Sequence, residues 1–193
     1  MSSDVLAYKV VAIGESGVGK TSIINRYSEG TFSANAMPTI GAGYIKCVVP
    51  IDDCEVTLNV WDTAGQERFQ SLIPLYTRSS QACIIVFDMS SENALASLEK
   101  TYEAVSDLIE FGVYISISGN KCDMLTNDFD GAIFEKWAKD KNLSFFRTSA
   151  KTGQGIDSLF ADVAIGCQNA DLSNEASKRG IAMNDTKSGK CCK

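Results

Sequence analysis

The sequence predicts an α/β fold, a six-stranded and mostly parallel sheet with one antiparallel strand, flanked by about five helices. Two observations carry the prediction. Short apolar runs recur between stretches of helical periodicity, and one run alternates in a half-buried manner while the others are nearly continuous in Ile, Val and Phe. At 193 residues the chain is long enough for one domain with a sizeable core, and its composition carries no disordered bias.

The first run, Ala7 to Ile13, reads as a strand that leads into a glycine-bearing segment and a helical stretch from near Lys20. Tyr44 to Val49 and Val56 to Trp61 come next. Val56, Leu58 and Val60 alternate with Thr57 and Asn59, and a short turn at Pro50 to Asp53 joins the two as a hairpin. Ala82 to Phe87, Val113 to Ile117 and Phe145 to Thr148 read as buried parallel strands. Ile156, Leu159, Phe160, Val163, Ala164 and Cys167 follow the i, i+3, i+4, i+7 spacing of a helix packed on the sheet. The domain is expected to span 1–170, its packing closing near Gln168. From Asp171 to Lys193 small and polar residues prevail, with too little to bury to offset ordering entropy, so a flexible tail is expected.

Composition narrows the chemistry. A net charge of −6 argues against a nucleic-acid partner, since phosphate binding needs a basic face. The chain has no histidine, which excludes histidine bases, Ser-His-Asp triads and His-ligated metals. Seven cysteines without a CxxC spacing point to neither a disulfide framework nor a zinc site, and five of them are expected to act as small hydrophobes. Met1 to Asp4 carries no secretory signature and no run suits a bilayer span, so a cytosolic start is expected.

Gly14-Glu15-Ser16-Gly17-Val18-Gly19-Lys20-Thr21 fits the pattern G-x-x-x-x-G-K-[ST], directly after a strand and before a helix. Its glycines let backbone N–H groups curl around a phosphate at a helix N-terminus. Lys20 is then placed to reach the β- and γ-phosphates, and Thr21 to offer its hydroxyl to Mg²⁺; Ser22 adjoins the same set. The loop alone tells neither ATP from GTP nor a kinase from a switch.

Asn120-Lys121-Cys122-Asp123 follows the strand ending at Ile117, at the carboxyl edge where open α/β sheets bind ligands. A carboxylate at Asp123 can accept from guanine N1–H and its exocyclic amine; adenine offers neither pairing. Asn120 can bond N7, and the Lys121 stem can cover the purine ring. Ser149-Ala150-Lys151 follows the last strand, where the Ala150 N–H could donate to guanine O6. Asp62-Thr63-Ala64-Gly65-Gln66 follows the strand ending at Trp61, so Asp62 can hold Mg²⁺ through water and the Gly65 N–H can sense the γ-phosphate. Gln66 is positioned to orient an attacking water, and Thr39, in Pro38-Thr39-Ile40-Gly41, to supply a second hydroxyl to Mg²⁺.

With these segments in order, the chain resembles the Ras superfamily, and most closely its Rab family, from about Tyr8 to Gln168. The resemblance implies a P-loop NTPase of the Ras-like G-domain type that switches between GTP and GDP, needs Mg²⁺, and recruits effectors to intracellular membranes in vesicle trafficking. It also implies that Phe32 lies edge-on against guanine. Trp61 to Phe69 resembles the Rab form of the second switch, and Tyr44, Trp61 and Tyr76 resemble the aromatic triad that Rab proteins present to effectors; Ile40, Gly41 and Phe69 belong to the same switch surface. The chain departs from that pattern at Ile40-Gly41-Ala42-Gly43-Tyr44 and at Arg78-Ser79-Ser80-Gln81-Ala82, so the resemblance carries over the catalytic positions but not effector identity.

The ending Cys191-Cys192-Lys193 is not a CaaX box, because Lys190 is fourth from the end; it resembles the Rab double-cysteine terminus. That implies geranylgeranyl groups on both cysteines, prenyl-binding escort proteins, and a peripheral place on the cytosolic face of endomembranes. A monomer regulated by an exchange factor and a GTPase-activating protein is expected, with slow hydrolysis alone because no arginine finger is evident in cis. A nucleoside monophosphate kinase would need an arginine-rich lid, and Arg26, Arg68, Arg78, Arg147 and Arg179 are too scattered for one. A nucleotide-binding scaffold without hydrolysis is the other rival, opposed by Gln66 and Thr39.

Overall fold

β1 (Leu6–Ile13) runs through the middle of the sheet because it is apolar on both faces, with Val10, Val11 and Ala12 all but fully buried. The computed structural model describes residues 6–37, 39, 42–63, 73–109, 112–126 and 129–184. Beside β1 lie two parallel neighbours, β3 (Cys54–Thr63), where Val60 pairs with Val10, and β4 (Ala82–Asp88), where Ala82 does. β5 (Tyr114–Asn120) and β6 (Ser144–Arg147) extend the parallel series. β2 (Ala42–Ile51) closes the other edge, antiparallel to β3 across a two-residue turn with Asp52 at φ 49°. The order is β2-β3-β1-β4-β5-β6, the six-stranded sheet with one antiparallel strand that the sequence predicts.

Two cores follow from the alternation of β1. Val10 and Ala12 face α1 (Lys20–Glu29) and α5 (Ile156–Asn184), packing among Ile23, Ile24, Leu159, Phe160 and Val163. Val11 and Ile13 face the opposite layer, where α3 (Ala94–Glu103) contributes Leu98 and α4 (Ala132–Asp140) contributes Phe134. A short α2 (Ile73–Thr77) precedes β4 and completes five α-helices among the described residues. Tyr27 of α1 stacks on Phe160 of α5 with centroids 4.0 Å apart, fixing the two helices against each other.

The stripe Ile156, Leu159, Phe160, Val163, Ala164 and Cys167 is buried as its spacing predicts, and the backbone stays helical to Asn184, beyond the point where the tail was expected to begin. Propagating a nucleated helix gains one hydrogen bond per residue fixed, so a packed helix can extend past its apolar spacing. The cysteine expectation holds for Cys47, Cys83 and Cys167, which are buried, whereas Cys54 is exposed at the hairpin turn and Cys122 is only half-buried. No described helix is long and apolar enough to cross a membrane.

Candidate functional site

All five parallel strands end at one edge, and the segments after β1, α1, β5 and β6 line a cleft there of about 430 Å³. Gly19 is its pivot. It caps α1 in the left-handed region at φ 99°, and a Cβ there would stand 2.3 Å from the Asn120 amide nitrogen, so only glycine lets the phosphate loop and the β5 loop meet. The Asn120 amide then donates to the Val18 carbonyl at 2.8 Å. Lys20 starts α1 and is 5% exposed; its ammonium donates at 2.9 Å to the carbonyls of Gly14 and of Glu15. Burial lowers its pKa to about 8, partly opposed by the negative charge of Asp62.

Beside Lys20, three oxygen-bearing side chains converge. Thr21 Oγ1 donates to Asp62 Oδ2 at 2.6 Å, Thr39 Oγ1 approaches the same oxygen at 3.3 Å, and the two hydroxyls lie 2.8 Å apart. Asp62 is 3% exposed, burial raises its pKa, and its Oδ1 is buried without a hydrogen-bond partner among the described residues. A buried, under-satisfied carboxylate beside two hydroxyls suits a hard divalent cation.

The far end of the cleft is lined by Phe32, Lys121, Asp123, Ala150 and Lys151. Buried Ser149 donates to Asp123 Oδ1 at 2.6 Å, and the Lys151 ammonium lies 3.9 Å from Oδ2, so the carboxylate is held at the wall. Ala150 N donates to Asn120 Oδ1 at 3.2 Å, tying the β6 loop to the β5 loop. Lys121 occupies the left-handed region at φ 63°, and its ammonium pairs with Asp88 Oδ2 at 2.7 Å. Asp88 also accepts from the backbone and hydroxyl of Ser90, and although burial pushes its pKa up, these bonds and the Lys121 charge leave it lowered.

Of the expected site residues, Ser16, Gly17, Gly19, Lys20, Thr21, Ser22, Phe32, Thr39, Asn120, Lys121, Asp123, Ala150 and Lys151 line this one cleft. Val18 packs in the core instead and contributes its carbonyl, while the Glu15 side chain turns toward Lys100, 3.8 Å away. Gly65, Gln66, Ile40, Gly41, Phe69, Cys191 and Cys192 lie outside the described residues. Tyr44 is 55% exposed, donates to Asn59 Oδ1 at 2.9 Å, and tilts against Trp61 at 6.2 Å between centroids. Trp61 and Tyr76 are both half-buried against the second core. Sequence reading missed two supports, Asp88 and Arg26, because each acts through a partner distant in the chain: Lys121 for the first, Ala150 and Lys151 for the second.

Fold and cleft together define a P-loop nucleotide-binding protein. A model of the Ras family matches residues 9–169. The Ras-related protein Rab-5A of Dictyostelium discoideum is 34% identical over 200 residues, covering 99% of this chain and 98% of that protein. The chain therefore belongs to the Ras family of small GTPases, in its Rab branch. Its activity is GTP hydrolysis, its ligands are GTP, GDP and Mg²⁺, and it works with effectors and regulators in vesicle trafficking, associated with endomembranes.

Proposed function

We propose that the switch is run by the cleft residues in definite roles. Lys20 balances charge on the β- and γ-phosphates, Thr21 and Thr39 hold Mg²⁺ by their hydroxyls, and Asp62 holds it through water. Bound there, Mg²⁺ would neutralise charge that develops on the phosphate oxygens. Asp123 selects guanine through N1–H and the 2-amine, Ala150 reads O6, Lys121 covers the ring, and Phe32 borders it. Gln66 orients the attacking water, and the Gly65 N–H senses the γ-phosphate. The observation that carries this reading is the single cleft, with Lys20 and the Thr21, Thr39 and Asp62 cluster at one end and Asp123 and Ala150 at the other.

The finer biology follows from the same reading. Hydrolysis waits on an activating protein, since stabilising transition-state charge is worth roughly 10³ to 10⁵ in rate and none of the described Arg26, Arg78 and Arg147 lines the cleft. Tyr44, exposed and tilted against the half-buried Trp61, supports an effector surface whose exposure depends on the bound nucleotide. Cys191 and Cys192 carry geranylgeranyl groups, delivered by an escort protein, and hold the chain on the cytosolic face of its membrane.

The test is nucleotide exchange of bases. Fluorescent GDP and GTP with Mg²⁺ should bind tightly and ATP should not; Asp123→Asn should lose guanine affinity by at least about a hundredfold and gain xanthine affinity. Equal binding of ATP and GTP would refute the base-recognition roles.

A further inference from the structure

Arg26 lies in the last turn of α1, the helix whose first residues are Lys20 and Thr21. Its guanidinium spends its donors on three carbonyls: Nε on Ala150 at 2.7 Å, Nη2 on Lys151 at 2.7 Å, and Nη1 on Gly30 at 2.6 Å. These are short, charge-assisted bonds in the planar fork that only arginine offers. No described backbone N–H takes the Ala150 or Lys151 carbonyl, so Arg26 is the described donor to both. Ala150 is thereby held through the two peptide groups that flank its Cα, the following carbonyl by Arg26 and the preceding N–H by Asn120. At 3.2 Å the latter bond is at the long end of the range, which leaves the N–H able to share itself with an acceptor in the cleft. Six residues of helix separate Lys20 from Arg26, about 9 Å of rigid rod, so one helix spans from the phosphate end to the base end.

We propose that Arg26 is a positioning residue for recognition of the purine 6-oxo group, aiming the Ala150 N–H and coupling the base loop to the helix that begins at Lys20. The proposal rests on the reading of Ala150 as the group that faces guanine O6. Without Arg26 the loop from Ser149 to Gln154 keeps its own turn, closed by the Gly153 N–H on the Ser149 carbonyl and by the Ser149 N–H on the Gln154 carbonyl, but loses its anchor to α1. Asp123 itself stands on the β5 loop, and its bond from Ser149 at 2.6 Å comes from the residue whose backbone closes that turn without Arg26.

The experiment compares three nucleotides, GDP, 6-thio-GDP and IDP, by equilibrium titration at pH 7 on the full chain and on Arg26→Met, with thermal melting as the folding control. 6-thio-GDP exchanges only O6 for a weaker acceptor, and IDP removes only the 2-amine. In the native chain the sulfur should cost about tenfold in affinity; in Arg26→Met that penalty should shrink to about threefold or less while the inosine penalty persists. Arg26→Lys, which keeps the charge without the fork, should give an intermediate sulfur penalty and serves if the Met variant does not fold. An equal loss for all three nucleotides would reduce Arg26 to a cap on α1 and overturn the proposal, as would joint collapse of both penalties. A native chain indifferent to the sulfur would instead refute the Ala150 reading, and the inosine penalty would still judge Asp123 independently.

Discussion

Lys20 carries its charge at a cost that pH exposes. Its folded pKa, about 8, lies below the ordinary lysine value of 10.5, so the buried ammonium opposes folding below about pH 8 and that cost fades as pH rises from there toward 10.5. Phosphate binding needs the charged form, so the sign reverses for affinity: GDP should bind about tenfold more weakly at pH 9 than at pH 7. Fluorescent GDP titrations across that range would measure it, and Lys20→Arg, charged throughout, should flatten the profile. Asp88 offers a second expectation at this scale. It holds the Lys121 ammonium at 2.7 Å, and both partners keep under a third of their side-chain surface exposed. Asp88→Asn should leave Lys121 unanchored and speed GDP dissociation by about threefold to tenfold in Mg²⁺, read in a stopped-flow chase. Neither Asp88 nor Arg26 was legible in the sequence. A pattern can announce a glycine-rich turn followed by Lys and Thr, because those residues act together locally; it cannot announce an aspartate at the end of one strand whose partner follows the next.

Among the elements, β1 and β4 were legible because their near-continuous runs of Ile, Val, Phe and Ala have no soluble alternative to a sheet interior, and their predicted and observed limits differ by a single residue at one end. The full length of α5 was not, since from Asp171 the sequence turns small and polar and loses the apolar spacing that makes a helix visible. Where α5 does pack, it is tightly registered. A Cβ on Gly166 would stand 2.3 Å from the Tyr114 ring, and that ring cannot swing away easily, because its hydroxyl donates to Asp162 and bonds Ser144 at 3.0 Å. Gly166→Ala should therefore destabilise the domain by about 1–3 kcal/mol, lowering the melting temperature while leaving guanine-over-adenine preference intact. Gly19→Ala should do the converse: strain falls on the Asn120 amide at the centre of the cleft, so GDP affinity should drop by more than about a hundredfold while the core stays folded, as circular dichroism would show.

For the whole molecule, charge is unevenly divided along the chain. The segment from Asp171 carries a net +2 against about −8 for the rest, a weak attraction to an anionic leaflet, so attachment should depend on lipid rather than on charge. Once geranylgeranylated, the native chain should sediment with vesicles. Replacing either Cys191 or Cys192 with Ser should leave marginal binding, and replacing both should abolish it, with GDP affinity unchanged throughout. The strand order has a separate consequence, for synthesis on the ribosome. β1 emerges first, yet its two neighbours are β3 and β4, and the loop carrying Ala150 follows the last strand of all. The earliest segment must wait for much of the chain before it can pair, and the base end of the cleft does not exist until translation has passed Lys151. Guanine nucleotide can therefore reward only a finished domain: chains stalled before Ala150 has left the exit tunnel should retain no labelled GDP, while chains stalled after α5 has also emerged should.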